Sequence, residues 1–266
     1  RVDQDLKPIV VRNVQGSVGR IRPGDLVFFG NIRSDRTQEL TRALIARGFT
    51  EFDRGPDWRL GGFYTMSEYH KAFEDPEQVD PVAQVVVRPA GVANYAPEVF
   101  TGAGWTVGLF AETQKRNHVP GRFYRGRDNP LPNEVDRIVR SKRVRSYTEA
   151  PEMSAEQVVD SMLWFANQPA GTTVEARIDE GATDAQRARD AALAPVTIGE
   201  RVFMAGNLAN FDMVGHDLDK IPGVVDGTAK PEDVMKPFID VGRTLDRELR
   251  RLVPALLAKG YTVVIT

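Results

Sequence analysis

At about 150 residues per domain, a chain of 266 residues has room for two domains, and its 41% apolar content is enough to bury a core in each. The 35 basic and 37 acidic residues leave a net charge of -2, which excludes a global positive field that would hold nucleic acid or an anionic membrane. The absence of cysteine excludes a disulfide scaffold, a thiolate zinc site and a cysteine nucleophile, and fits a reducing cytosol. No apolar run approaches the ~18 residues of a membrane span, so we expect a cytoplasmic protein that binds neither nucleic acid nor membrane.

The first part of the chain predicts strands separated by a helix. Asp25–Phe29 is a short apolar run typical of a buried strand. A helix of about three turns follows, ending near Gly48, a residue typical of C-caps; its apolar face is predicted as Leu40, Ala43 and Leu44. Val85–Val87 predicts another strand, and the proline and glycine of residues 88–94 favour a domain connection. We therefore place a boundary near residue 89, between domains 1–89 and 90–266.

The second part predicts buried strands at Trp105–Phe110, Val202–Ala205 and Tyr261–Ile265. Ser154 and Gln157 have the spacing of a capping box at the start of one helix. Farther on, apolar residues recur every three or four positions in a second, amphipathic helix: Phe238, Val241, Leu245, Leu249, Leu252 and Leu256. Alternating strands and helices predict an α/β fold with a mainly parallel sheet flanked by helices.

Arg33 and Arg36 lie between the first predicted strand and its helix. At a spacing of three, both side chains can converge at the helix entry, and two guanidinium groups suit a phosphate or carboxylate. The helix amino terminus adds partial positive charge. The alternative is a solvated surface on which Arg36 pairs with Asp35 or Glu39.

Asp212 and His216 follow the predicted strand at residues 202–205. A carboxylate and an imidazole four residues apart can reach one divalent cation of the Mn²⁺ or Zn²⁺ type. Two ligands do not complete such a site, and the alternative is a helix cap beside a surface histidine.

Lys115 follows the strand that ends at Phe110 and could meet a phosphate as a point charge, with Glu112 or His118 nearby to fix it. The alternative is a solvated loop. The basic run from Arg137 to Arg145 has no interleaved aromatic residues, and we interpret it as a solvated face.

Four segments together resemble motifs of the cofactor-independent phosphoglycerate mutases. Gly24–Leu44 reads GDLVFFGNIRSDRTQELTRAL, similar to that family's GDxVIFFNFRxDRxRxLTRAL. The stretch AETQK with His118 resembles its AETEKYxHV, PEMSA at 151–155 matches its PEMSA, and NFDMVGH at 210–216 resembles its NxDMVGH. The motifs occur in the family's order from about Lys7 to Thr266, and the family belongs to the alkaline phosphatase superfamily of two-metal phosphoryl-transfer enzymes.

This resemblance implies an incomplete alkaline-phosphatase-like, metal-binding domain in residues 90–266 and part of a smaller α/β phosphoglycerate-binding domain in residues 1–89. It implies that Arg33 and Arg36 hold the substrate, and that Lys115 approaches the phosphoryl group as a catalytic residue. Asp212 and His216 would be ligands of one of two Mn²⁺ ions. The implied activity is that of a glycolytic isomerase, which interconverts 3-phosphoglycerate and 2-phosphoglycerate through a phosphoserine.

The chain also departs from the family pattern. The family's nucleophilic serine and a metal aspartate lie upstream of the matched stretch, and its Asp-His-Gly-Asn motif lies downstream. Residues 120–126 replace the family's FFFNGG, and residues 169–200 are inserted. We expect a fragment, or one piece of a split enzyme whose complementary chain supplies the missing ends, that is inactive alone. Two alternatives stay open: a divergent paralogue acting on another phosphate or phosphonate, and a non-catalytic anion-binding module.

Overall fold

The computed structural model describes residues 9–34, 36–88, 93–119 and 130–266. The chain forms two compact units, a smaller one over Lys7–Ala90 and a larger one that contains Gly91–Thr266. The division falls beside the proline and glycine residues that predict a domain connection near residue 89. Each unit has its own parallel sheet and its own core.

In the described residues of the smaller unit the elements are β1 (Arg12–Asn13), β2 (Gly16–Ser17), β3 (Leu26–Phe29), α1 (Thr37–Ile45), β4 (Gly62–Thr65) and β5 (Ala83–Val85). β1 and β2 form a hairpin, and the other strands form a parallel sheet in the order β3-β4-β5. The strand predicted from Asp25 is confirmed as β3. The strand predicted at 85–87 lies two residues earlier, as β5.

The predicted helix is confirmed as α1, and Leu44 packs against the core as predicted, but the rest of the buried face differs from the prediction. Leu40 is 59% exposed, whereas Thr37, Thr41 and Ile45 are buried. The Thr41 hydroxyl donates to the Thr37 carbonyl over 2.8 Å, which satisfies the polar atom inside the unit. Threonine can therefore occupy a buried helix face that apolar periodicity alone does not reveal.

The larger unit is built on a four-stranded parallel sheet in the order β11-β6-β7-β9. Its strands are β6 (Thr106–Glu112), β7 (Glu134–Val139), β8 (Thr173–Val174), β9 (Arg177–Asp179), β10 (Val196–Thr197) and β11 (Val202–Gly206). Its helices are α2 (Ala96–Gly102), α3 (Ala155–Ala166), α4 (Asp184–Asp190), α5 (Asn210–His216) and α6 (Pro231–Ala258). Every residue of β6 and β7 is buried, as expected for central strands of a parallel sheet covered by helices. The predicted fold class is confirmed.

The segment at 169–200, which the family resemblance marks as inserted, is part of this sheet. It supplies β9, which pairs with β7, as well as the antiparallel pair β8 and β10. The capping box of this unit also lies here, between Thr183 and Gln186 at the start of α4. The box predicted at Ser154 does not form, because the Ser154 hydroxyl donates to the Arg140 carbonyl instead.

The strand predicted at Tyr261–Ile265 is wrong for the described residues, since none of them forms a β-ladder with this segment. Tyr261 and Val263 pack against the core of the larger unit, whereas Val264 is 81% exposed. The β-branched residues give side chains of alternating burial, but a strand also needs a neighbouring backbone with which to pair.

The predicted amphipathic helix is confirmed as α6, which includes Pro254. Val241, Leu252 and Leu256 are buried on it. None of the helices within the described ranges combines the length and the apolar character needed to cross a bilayer.

Candidate functional site

The loop that follows β3 is fixed by two side chains from the segment after β4. The Tyr69 hydroxyl lies 2.9 Å from the Phe29 carbonyl and 2.5 Å from the Asn31 carbonyl. The Ser67 hydroxyl donates to the Ile32 carbonyl over 2.7 Å. These hydrogen bonds hold the loop at the carboxyl end of the sheet. Sequence reasoning missed Tyr69, since only the parallel pairing of β3 with β4 brings it to this loop.

Arg33 and Arg36 occupy this loop, at the amino end of α1, and both are exposed. The Arg33 carbonyl accepts a hydrogen bond from the Thr37 hydroxyl over 3.0 Å, and Arg36 is the N-cap residue. Arg36 forms no ion pair with Glu39 or with any other residue that the structure describes, while Asp35 lies outside the described residues. The pair is therefore placed at a helix amino terminus, where an anion is favoured.

Lys115, Asp212 and His216 come together in the larger unit. Lys115 ends a 3₁₀ turn directly after β6, and α5, which contains the other two residues, follows β11. Because β6 and β11 are parallel neighbours, their carboxyl ends lie side by side. The Lys115 Nζ is 2.5 Å from the Asp212 Oδ2, and the His216 Nε2 is 3.6 Å from the Asp212 Oδ1.

Asp212 is the electrostatic centre of this cluster. The hydrogen bond from Lys115 holds the pKa of the Asp212 carboxyl below its usual range, and the charges of Lys115, His216 and His118 act in the same direction against the effect of burial. The carboxylate is therefore ionised through the physiological range and is available to a cation. His118, which the sequence placed near Lys115, contributes to the same field.

The donor set for a metal ion is incomplete in the part of the chain that the structure describes. Asp212 and His216 supply one carboxylate and one imidazole, and the described residues include no group of three metal-donor side chains. Lys115 also occupies one oxygen of Asp212. Since a stable site generally needs at least three protein ligands, these residues do not by themselves fit a tightly bound divalent ion.

Glu112, at the carboxyl end of β6, is a second carboxyl group beside this cluster. It is 1% exposed, and its Oε2 has no hydrogen-bond partner among the described residues. Burial raises the pKa of Glu112, although a hydrogen bond from Ser141 and the charges of Lys115 and Lys142 oppose the rise. Asp212, by contrast, has a lowered pKa.

The basic run from Arg137 to Arg145 is not a uniform solvated face. Arg137 lies in β7 and is 7% exposed, with its guanidinium 4.6 Å from the centre of the Trp164 ring. Burial lowers the pKa of Arg137 to about 10. Arg143 and Arg145, beyond the end of the strand, are exposed.

Comparison with known proteins gives the family context of these residues. A family model described as the BPG-independent PGAM N-terminus matches residues 1–71. The 2,3-bisphosphoglycerate-independent phosphoglycerate mutase of Nitratidesulfovibrio vulgaris is 32% identical over 265 residues, which are 99% of this chain and 42% of the relative. The chain is related to the cofactor-independent phosphoglycerate mutases. The Moorella thermoacetica enzyme of the same name is 34% identical over 260 residues, 97% of this chain and 41% of the relative.

A solved structure supports the same fold. The crystal structure of Leishmania mexicana phosphoglycerate mutase at low cobalt concentration aligns with a TM-score of 0.50 and 24% identity, covering 93% of this chain and 36% of that one. The chain spans about two fifths of the length of the curated relatives that it matches. The resemblance stated from the motifs is confirmed, and the relatives' activity as a whole belongs to proteins more than twice this length.

The first testable prediction concerns Lys115 and Asp212. In Lys115→Met the pKa of Asp212 is expected to rise, because its hydrogen-bond donor and nearest cation are removed while burial continues to act. In the unchanged protein, the ion pair contributes stability above the ordinary aspartate pKa of ~3.9 and loses it as the pH falls through the lowered pKa of the folded state. Carboxyl-carbon NMR titration measures the shift. Lys259→Met, at an exposed lysine, is the control and should leave the Asp212 titration in place.

A second prediction concerns Glu112. Because its pKa is raised in the folded protein, Glu112 contributes stability at low pH that is lost as the pH rises through the raised pKa. Glu112→Gln removes this loss. The free energy of unfolding of the variant, relative to that of the unchanged protein, should therefore be higher at pH 8 than at pH 4. Urea denaturation at both pH values measures the difference. The same gain in Glu200→Gln, an exposed carboxyl changed in the same way, would contradict the burial argument.

Proposed function

We propose that this chain is part of an isomerase that interconverts 3-phosphoglycerate and 2-phosphoglycerate through a phosphoserine, the serine being contributed from outside the matched stretch. The observation that supports this most directly is the meeting of Lys115, Asp212 and His216 at the carboxyl ends of β6 and β11. Ligands of open parallel sheets bind at this edge. A cation and an ionised carboxylate held together there are suited to an anion and its counter-ion.

The arginine pair of the smaller unit has the role of binding the glycerate end or the phosphate of the substrate. Each guanidinium can form two parallel hydrogen bonds to a carboxylate or phosphate. The hydrogen bonds from Tyr69 and Ser67 fix the loop backbone before the substrate arrives, which lowers the entropy lost on binding.

Lys115 is proposed to neutralise charge on the phosphoryl group, since phosphoryl transfer is catalysed mainly by positioning and by stabilising negative charge. Within the described residues its ammonium is held by Asp212, so the substrate competes for a cation that is already oriented. Asp212 and His216 are proposed as ligands of a divalent cation, with Mn²⁺ expected. Because their donor set is incomplete here, no catalytic step is assigned to the ion.

One observation favours the second candidate, a paralogue that acts on another phosphate or phosphonate. Asp179, at the end of β9, pairs with Arg116, the residue after Lys115, at 2.6 Å. Gly181 also lies against Thr113 in the turn that contains Lys115. The inserted segment thus contacts the turn that presents Lys115, and this contact supports a substrate that differs from phosphoglycerate.

The arginine pair leads to a third prediction. Arg33→Lys should weaken binding of phosphoglycerate by roughly 1–3 kcal/mol, because a bidentate fork becomes a point charge. Calorimetric titration of a longer chain, with the flanking sequence of its relatives, measures the affinity. Arg42→Lys, on the exposed face of α1, is the matched control. Equal affinities of the unchanged chain, Arg33→Lys and Arg42→Lys would contradict a binding role for Arg33 and support the solvated-surface alternative.

A fourth prediction separates enzyme from binding module. The 266-residue chain should retain little Mn²⁺ after dialysis and show no mutase activity, because its described donors number two and a stable site needs at least three. A chain extended on both sides should gain both properties and lose them in Asp212→Ala. Metal content after dialysis and a coupled mutase assay are the measurements. An extended chain that binds phosphoglycerate without turnover would support the non-catalytic module.

A further inference from the structure

A cleft of about 820 Å³ opens in the larger unit where β6 and β7 end. Six cationic side chains line it: Arg116, Arg140, Lys142, Arg143, Arg145 and Lys220. Lys115, Asp212 and His216 are not among its lining residues, but their chain neighbours Gln114 and Met213 are. The cleft therefore adjoins the proposed phosphoryl site without sharing its side chains.

Part of this positive charge is already neutralised. Arg116 pairs with Asp179 at 2.6 Å, Lys220 pairs with Asp217 at 2.6 Å, and Lys142 pairs with Glu152. Asp217 is the one acidic residue among the described lining residues, and it also accepts a hydrogen bond from the Tyr147 amide. Its charge is thus committed to partners within the protein.

Arg143 and Arg145 are different. Both line the cleft, both are exposed, and neither forms an ion pair or hydrogen bond with any residue in the described ranges. Arg140 also forms no ion pair with a described residue, although its guanidinium donates to the Glu180 carbonyl. The described lining therefore keeps three guanidinium groups without an ion pair, in a chain whose net charge is -2. Unneutralised cations that line one cleft repel each other, and an anion bound in the cleft would relieve that repulsion.

The chemistry of the lining points to a small oxyanion. Arginine forks match carboxylate and phosphate groups bidentately, and Ser141 and Tyr147 add polar side chains. The volume lies in the range of small-molecule sites. Among the described lining residues Tyr147 alone is aromatic, and its hydroxyl donates to the Lys142 carbonyl over 3.2 Å. The described lining therefore presents no row of stacking platforms of the kind that a single-stranded nucleic acid uses.

We propose that Arg143 and Arg145 bind a second anionic group of a phosphorylated small molecule. The substrate then has at least one phosphate or carboxylate in addition to the phosphoryl group that Lys115 binds. The identification of the ligand as phosphorylated rests on the proposed function. The binding of a polyanion in the cleft does not, because it needs only the larger unit.

Inorganic pyrophosphate is the probe, because it joins two phosphate groups in one small molecule. Calorimetric titration at low ionic strength should show binding to the 266-residue chain that is at least tenfold weaker in the double variant Arg143→Gln/Arg145→Gln. The double variant Arg189→Gln/Lys259→Gln removes the same charge from exposed positions outside the cleft, and it should bind as the unchanged chain does. Arg143→Lys/Arg145→Lys should lie between, because charge is kept and the forks are lost.

The outcomes separate the inference from the proposed function. Absent pyrophosphate binding, or equal weakening in both charge-removing variants, would overturn the cleft assignment. If circular dichroism shows that the glutamine variant is unfolded, the cleft assignment is tested by comparing pyrophosphate binding of the lysine variant with that of the unchanged chain. A longer chain without mutase activity that still shows arginine-dependent pyrophosphate binding would retain the cleft and reject the isomerase. A longer chain with mutase activity whose KM is unchanged in Arg143→Lys/Arg145→Lys would support the isomerase and reject the cleft as part of the substrate site.

Discussion

The parallel pairing of β11 with β6 is the constraint on which the chemistry of the larger unit depends. The ladder runs from Val202 opposite Thr106 to Gly206 opposite Phe110, so both strands end at the same edge of the sheet. A turn after one strand and a helix after the other then meet, although Lys115 and Asp212 are 97 residues apart in the chain. A shift of register along this ladder would separate the ammonium from the carboxylate and remove the cause of the lowered Asp212 pKa.

Burial of the central strands sets the second condition. β6 and β7 are buried along their whole length, yet β7 contains Asp136 and Arg137. Asp136 is paired with Arg177 of β9 at 2.7 Å, and Arg137 stacks on Trp164. Removing one partner of a buried pair would leave an uncompensated charge at a cost of about 3–5 kcal/mol. The segment that contains β9 is therefore needed by the central sheet itself, and its role extends beyond any effect on substrate choice.

The chain concentrates positive charge locally while its total charge is slightly negative. The arginine pair at the start of α1, the Lys115 turn and the cleft beside Arg143 each present cations at the carboxyl end of a parallel sheet. The field at these points is set by the clustering of the cations, because charges farther apart than about 10 Å at 0.1 M salt are screened from one another and do not act together. A small anion is thus attracted to specific sites.

The amino-acid sequence by itself predicted several of the strands and helices and indicated the candidate site residues. Apolar runs specified β3, β6 and β11, and the spacing of Arg33 with Arg36 and of Asp212 with His216 indicated anion and cation chemistry, because side-chain period and local spacing are properties of a short stretch of chain. Tertiary structure alone decided that the inserted segment supplies β9, that residues 261–265 have no strand partner among the described residues, and that Lys115 holds Asp212. It also decided that Arg137 is buried while Arg143 is exposed. These features depend on which strands are neighbours and which side chains lose water, and residues far apart in the chain determine both.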